Sequence, residues 1–449
     1  MRLPAATCLR MTLLACGLAG SAGAQAPASG QKADSSGDSA RTRLPTLRIT
    51  ATRQSESIFA APLAVSRVTR GQLANKRGIG LDEALANVPG VLAQSRYGGS
   101  DVRLTIRGFG ARGAGDRSNS GTSRGVRVLL DGIPETEPDG RTSFDLVDLQ
   151  AANSIEIVRS NASALWGNAA GGVVSVSTAP AFEVPFASLQ QMIGSFGLYR
   201  TTVQGGTKLS GSSVAVTFTN TSQEGWREHS DSRRFLVNSS LVGGLGTATD
   251  FGLFFTASNN LFHIPGPLTS DEAMRVPRAA NATYALRDER RYNRVARAGL
   301  TVSHSISESG SLSGMLFANP KVLERSERNT FRDFDRLHAG GNLVYRTSFG
   351  IIPHVCGSLV LGADRANQDG AIRFFPSLRA VQKDPTFATT NGRVRSMAAS
   401  SCNRACSSAS ASISTPARVT TTSGTTTATC LTVRRMQPDR SRASLQKSA

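Results

Sequence analysis

The chain has 449 residues, 39% of them hydrophobic, with 44 glycines, 18 prolines and a formal charge of +19, enough length to bury more than one core. No apolar run reaches the roughly 18–20 residues that a membrane-crossing helix needs, which leaves a globular protein or one that crosses a membrane as strands. Residues 350–449 hold 13 Lys+Arg against 4 Asp+Glu, so that tail supplies 9 of the 19 charges. No aromatic-interleaved basic helix or zinc knuckle accompanies them, so a nucleic-acid partner is not expected.

At the N-terminus, Arg2 and Arg10 supply positive charge, Met11 to Ala19 form a short apolar stretch, and Ala22-Gly23-Ala24 is a small-residue cleavage site. Residues 1–24 therefore read as a secretory signal peptide. Leu13-Leu14-Ala15-Cys16 offers a lipoprotein-type cleavage box as a second reading; both export the chain. Residues 25–43 are rich in Ala, Ser, Gly, Gln and Asp and read as a disordered leader. Residues 44–54 contain a β-prone segment in which Leu47 and Ile49 alternate with polar neighbours.

From 55 to 180 the pattern is mixed α and β. Leu81, Leu85 and Val88 share one helical face, and Pro89-Gly90 ends it. Strands are expected at 102–107, 125–130, 154–158 and 172–176, with Asp131-Gly132 turning the second. Gly108-Phe109-Gly110-Ala111-Arg112-Gly113 satisfies G-x-G-x-x-G. However, Gly, Ser, Asn and Arg follow it where a dinucleotide site needs a helix, so no cofactor is expected there.

From 185 to 349 the texture becomes strand after strand, with candidates at 186–193, 199–206, 213–220, 233–242, 249–257, 293–305, 310–318 and 337–347. Val214, Val216 and Phe218 point one way, and Ala215, Thr217 and Thr219 the other. Such segments fit membrane barrel strands or a soluble β-sandwich. The charged linker at 258–292 suits an extracellular loop. Beyond 350 the strand texture fails, Ser, Thr and Ala dominate 396–430, and Cys356, Cys402, Cys406 and Cys430 appear without metal-site spacing. Residues 350–449 are therefore expected to be an aberrant or frameshifted tail.

The five histidines are scattered, and the carboxylates Asp131, Glu135, Glu137, Asp139 and Asp145 cluster around turns, where Asp bonds locally. No nucleophile, base and orienting group come together, so an enzyme is not expected.

The motif run itself carries a resemblance. Leu81-Asp82-Glu83-Ala84-Leu85 to Val88-Pro89-Gly90-Val91, Ile106-Arg107-Gly108-Phe109, Val128-Leu129-Leu130-Asp131-Gly132-Ile133-Pro134, and Ile155-Glu156-Ile157-Val158-Arg159 with Ala162 to Gly167 and Gly171 to Val174 fall in order. Together they resemble the plug domain of TonB-dependent receptors, apart from Ser160-Asn161 where that family keeps Gly-Pro. Pro138-Asp139-Gly140-Arg141 with Ser143 to Leu146 resembles a ferric-citrate-receptor-like subgroup.

The likeness covers roughly 44–347. It implies an α+β plug domain followed by an antiparallel transmembrane β-barrel of about 22 strands, incomplete in this chain, in the outer membrane of a Gram-negative bacterium. It places a TonB box at Leu47, Arg48, Ile49, Thr50 and Ala51, where an exposed strand can be gripped edge-on; the plain alternative is the plug's first strand. Substrate contacts are expected at Arg96, Tyr97, Phe109, Arg112, Arg117, Asn119, Glu137 and Arg141, whose arginines suit an anionic ferric siderophore or similar iron chelate. Arg107, Glu156 and Arg159 are expected to make the plug-to-barrel ionic contacts.

The implied partners are TonB, energised by ExbB and ExbD, the ferric chelate, and outer-membrane lipid. Eight or so strands cannot close around a plug of this size, and an open edge in lipid leaves backbone groups unpaired. The chain alone is therefore not expected to transport. A secreted or outer-membrane β-rich binding protein without transport is the alternative from another class.

Overall fold

The computed structural model describes residues 64–378 except 75, 96–98, 111–123, 328–329 and 353–354, and outside that span only short strand pieces. The expected signal and leader, 1–43, lie outside the described residues. In the expected box segment, β1 (Arg48–Ile49) pairs antiparallel with β2 (Glu56–Ser57).

The mixed region folds as read. It contains β3 (Val65–Thr69), α1 (Arg70–Ala74), α2 (Leu81–Leu85), β4 (Val91–Ser95), β5 (Val102–Ile106) and β6 (Phe109–Gly110). These are followed by β7 (Val126–Leu130), β8 (Ile133–Pro134), β9 (Ser154–Val158), α3 (Ser163–Trp166) and β10 (Gly172–Ser177). The helix α2 buries Leu81, Ala84 and Leu85, and in the turn that leads on to β4 Gly90 takes φ 75°, which glycine adopts without strain.

The main sheet runs β3-β9-β10-β7-β8, with β10 parallel to β7 and antiparallel to β9. All five residues of β9 are buried, as expected for a strand covered on both faces. Ile155, Ile157, Val174 and Val176 join Leu81, Leu85, Leu104 and Leu146 in one core, each contributing on the order of 1.5–3 kcal/mol of burial. Asp131 and Gly132 both take positive φ, 55° and 77°, closing the β7–β8 hairpin with the geometry that matches strand twist.

The following strands form an antiparallel meander. They are β11 (Phe186–Gly194), β12 (Leu198–Leu209), β13 (Ser212–Gln223), β14 (Ser232–Leu245) and β15 (Thr249–His263). After α4 (Ser270–Arg275) and α5 (Ala282–Leu286) come β16 (Arg290–Ser305), β17 (Gly310–Glu327), β18 (Thr330–Ile352) and β19 (Val355–Leu378). All eight expected strands are present, most of them longer than read. The expected start of an aberrant tail at 350 is corrected, because β19 pairs with β18 along almost its whole length.

Each strand pairs with its sequence neighbour, and the first and last of the nine do not pair with each other. The ladder between β16 and β17 skips a step beside Pro320, which has no N–H to give. At one end the connections are tight, as at Ser210-Gly211; at the other lies the long helical connection between β15 and β16, placed where the extracellular loop was expected.

Period two sorts the faces. Thr217, Thr219 and Thr221 are buried inward against the mixed domain, while Phe218 points outward and stays 44% exposed. Leu253, Phe255, Leu316 and Leu343 likewise lie exposed on the outside. That is polar-in and apolar-out, the inverse of a soluble sheet.

Candidate functional site

Where the two parts meet, the turn-rich segment after β7 presents a row of carboxylates to the inner wall. Asp131, Glu135, Glu137 and Asp139 face Arg297 of β16, Lys321 of β17, Arg336 of β18 and Gln368 of β19. One segment therefore crosses four consecutive strands. The two-residue repeat of extended chain, about 6.7 Å, is close to the spacing between neighbouring tilted strands.

Asp131 receives the Arg297 guanidinium at 3.0 Å, and its carboxylate also accepts the Thr178 N–H at 2.6 Å. Arg297 donates to the Leu130 carbonyl at 2.6 Å. Glu135 lies 3.8 Å from Arg297 and 3.7 Å from Lys321, and accepts from Asn319 at 3.3 Å. Glu137 takes Lys321 at 2.9 Å, Arg336 at 3.0 Å and the Gln368 amide at 2.7 Å. Asp139 completes the row, 3.3 Å from Arg336.

Lys321 and Arg336 stand directly opposite each other across the β17–β18 ladder, a like-charge pair that would be unfavourable alone. Glu137 bridges them. Burial works against a charge at Glu137, but Lys321 and Arg336 outweigh it and hold that carboxyl below its ordinary range. At Asp131 burial prevails over Arg297 and Thr178, and the carboxyl is pushed up.

A second set of contacts is gentler. Asp145 accepts from Asn260 at 2.6 Å and Asn293 at 2.9 Å, and Asp148 accepts from Thr219 at 3.0 Å. Arg234 reaches the carbonyls of Asp145 and Val147, both at 2.7 Å, and Arg291 pairs with Asp101 at 2.8 Å.

The residues expected to carry function fare differently. Leu47, Thr50, Ala51, Arg96, Tyr97, Arg112, Arg117 and Asn119 lie outside the described residues. Arg48 and Ile49 form β1. Phe109 is partly exposed, and its side chain fills the space that a Cβ on Gly125 or Gly171 would occupy. Arg141 stays exposed and pairs with Asp139 at 3.7 Å.

Glu137 is corrected: expected to touch substrate, it is buried and occupied by wall residues. The expected ionic contacts at Arg107 and Arg159 are also corrected. Arg107 donates to the Arg159 carbonyl and Arg159 to the Pro89 carbonyl, both within the mixed domain. Glu156 stands opposite Arg67 in the domain's own sheet. The ionic contacts between domain and wall run instead through Asp131, Glu135, Glu137 and Asp139, with Asp101 to Arg291 beside them. Their wall partners went unread, although Arg297 and Lys321 interrupt otherwise small or apolar strand positions.

Residues 57–173 match the TonB-dependent Receptor Plug Domain family. The chain is 31% identical over 142 residues to a hemin receptor of Yersinia enterocolitica, covering 31% of this chain and 19% of that one. It is 30% identical over 142 residues to an iron-regulated outer membrane virulence protein of Vibrio cholerae, covering 30% of this chain and 20% of the relative.

Among solved structures it resembles the ferric citrate transporter FecA in its unliganded form, with TM-score 0.63, 17% identity, 78% of this chain and 54% of that one covered. It also resembles the ferric yersiniabactin uptake receptor FyuA of Yersinia pestis, with TM-score 0.59, 14% identity, 78% and 55% covered. The chain thus spans about a fifth of the curated relatives' length and about half of the solved ones. The mixed domain and the meander are arranged as plug and barrel wall in those folds.

Proposed function

Starting from a chain that belongs by its plug domain to the TonB-dependent receptors, we propose that it serves energy-coupled uptake of a scarce, bulky iron compound across the outer membrane. The compound is a ferric siderophore, a similar chelate or hemin, in line with the names of its relatives. TonB, energised by ExbB and ExbD, would grip the segment Leu47–Ala51, an extended stretch that can add to another sheet. Phe109 and Arg141, with Arg96, Tyr97, Arg112, Arg117 and Asn119, are the proposed substrate contacts.

One observation supports this reading above the others: the wall's inward faces are matched to the plug by a buried ionic row, while its outward faces are apolar. A secreted binding protein would need neither an apolar exterior nor a plug. Nine strands do not close around the plug, so transport would need more wall than 186–378 provide.

Expressed in a Gram-negative host, the chain should fractionate with the outer membrane and show heat-modifiable gel mobility. Recovery in soluble form from periplasm or medium would overturn the reading. Direct titration with ferric citrate and with hemin would separate the two substrate classes.

A further inference from the structure

The ends of three strands meet in a charged cluster where the long connection between β15 and β16 leaves the wall. Ser232 of β14 pairs with Phe262, and His263, the last residue of β15, pairs with Arg290, the first of β16. His263 therefore stands between Asp231, just before β14, and Asp288, two residues before β16. Its Nδ1 lies 3.0 Å from Asp231 Oδ1, off the line of a hydrogen bond, and its Nε2 3.3 Å from Asp288 Oδ1. The imidazolium form answers both carboxylates at once.

A second imidazole shares the space. The His229 ring centre is 4.8 Å from that of His263, the two planes tilted by 50°. His229 Nε2 lies 3.2 Å from the Glu289 carbonyl oxygen and 4.0 Å from Asp288 Oδ1; a neutral ring with its proton on Nε2 can donate to that carbonyl. Asp231 faces the pair from the β13–β14 loop, and Asp288, Glu289 and Arg290 from the approach to β16. Arg290 is paired with Asp288, and Arg287 lies 4.0 Å from Glu289. His229 and Asp288 both take left-handed φ, 55° and 48°, which non-glycine residues keep only where their surroundings hold them. Among the described residues no three His, Cys, Asp or Glu are placed to hold a metal ion, so the ligand this cluster is built to take is a proton.

The neighbours of His229 sew two loops together. The Glu228 N–H donates to the Arg278 carbonyl at 2.8 Å, and its carboxylate accepts the Ala280 N–H at 3.4 Å. Arg278 donates to the Trp226 carbonyl at 3.2 Å, and Arg227 to the carbonyls of Gly266 and Ala279 at 2.7 and 2.8 Å. A shift at His229 thus pulls on the whole connection 264–289. Burial first, then the neighbouring His263, holds His229 below its ordinary value of 6.5. The closed connection is therefore at full strength above 6.5 and weakens as pH falls from there to the lower folded value.

We propose that the His229–His263 pair is an acid-sensitive latch: a second proton on the pair drives the rings apart and frees the connection 264–289 from the loop 224–231. That the latch faces the outside medium rests on the outer-membrane reading above; its chemistry rests on the cluster alone.

The test uses the full chain in non-ionic detergent micelles. Hydrogen exchange of peptides from 224–231 and 264–289 is read by mass spectrometry at about pH 7.5 and about pH 5, corrected for intrinsic rates. Opening in wild type should rise at least about threefold at the lower pH, since each unit of difference in proton affinity is worth tenfold. His229→Gln, which takes no proton, should abolish the rise. His263→Gln should shrink it whatever its protection at neutral pH, because a proton on His229 then meets no second imidazole; it decides the matter if His229→Gln is already open at pH 7.5. No rise in wild type, an undiminished rise in either variant, or a parallel loss in β9 and β10, which marks global unfolding, would overturn the proposal. This exchange measurement decides the latch, and fractionation separately decides the outer-membrane reading.

Discussion

Replacing Glu137 by Gln removes the one charge that separates Lys321 from Arg336. The wild-type carboxylate makes two ion pairs, at 2.9 and 3.0 Å, and accepts an amide at 2.7 Å, all buried. Removing one partner of a buried pair leaves an uncompensated charge, which costs roughly 3–5 kcal/mol. Here two cations are left facing across a ladder, but Lys321 keeps Glu135 at 3.7 Å and Arg336 keeps Asp139 at 3.3 Å, so we expect the lower part of that range, about 3 kcal/mol. Urea titration in detergent, followed by trypsin release of the plug, reads the loss directly.

Combining Glu137→Gln with Lys321→Met should recover much of the stability, because the remaining Arg336 keeps Asp139 at 3.3 Å. A loss below about 1 kcal/mol, the size seen for exposed pairs, or strict additivity of the two substitutions, would refute the idea that this row holds the plug.

Other outcomes follow from the same geometry. Because Glu137 is held below its ordinary value of 4.5, its contribution is complete above that pH and is lost only as pH falls through the lower folded value; plug release against pH should show this acid step in wild type and not in Glu137→Gln. Gly172 takes φ 145°, and a Cβ there would meet the Val158 carbonyl oxygen at 2.1 Å, so Gly172→Ala should destabilise the plug by at least 1–3 kcal/mol, read by urea titration. Arg227 donates to the carbonyls of Gly266, Pro265 and Ala279; Arg227→Ala should speed proteolysis between 265 and 289 about tenfold, the effect of roughly 1.4 kcal/mol of local opening, without shifting global unfolding. Arg365 is exposed on β19, opposite Gly341 and level with the outward Leu316; Arg365→Leu should stabilise the wall in bilayers by about 2 kcal/mol, measured by urea titration in vesicles.

The sequence by itself determined every pattern carried by near neighbours. The helix at Leu81–Leu85 shows in a spacing of four, the Asp131-Gly132 hairpin in two adjacent residues that tolerate positive φ, and the inward Thr217 and outward Phe218 in period two. Strand β19 escaped notice because Arg365, Asn367 and Asp369 break the apolar alternation on its outer face; its ladder with β18 is what fixes it.

Only the tertiary structure decided which faces meet. Asp131, Glu135, Glu137 and Asp139 look like ordinary turn acids until Arg297, Lys321, Arg336 and Gln368 are brought round from as far as 231 positions away. Local spacing reports what a backbone can do with its own side chains. Whether a buried charge is tolerable depends on a partner supplied by a distant strand, and no short window of sequence contains that partner.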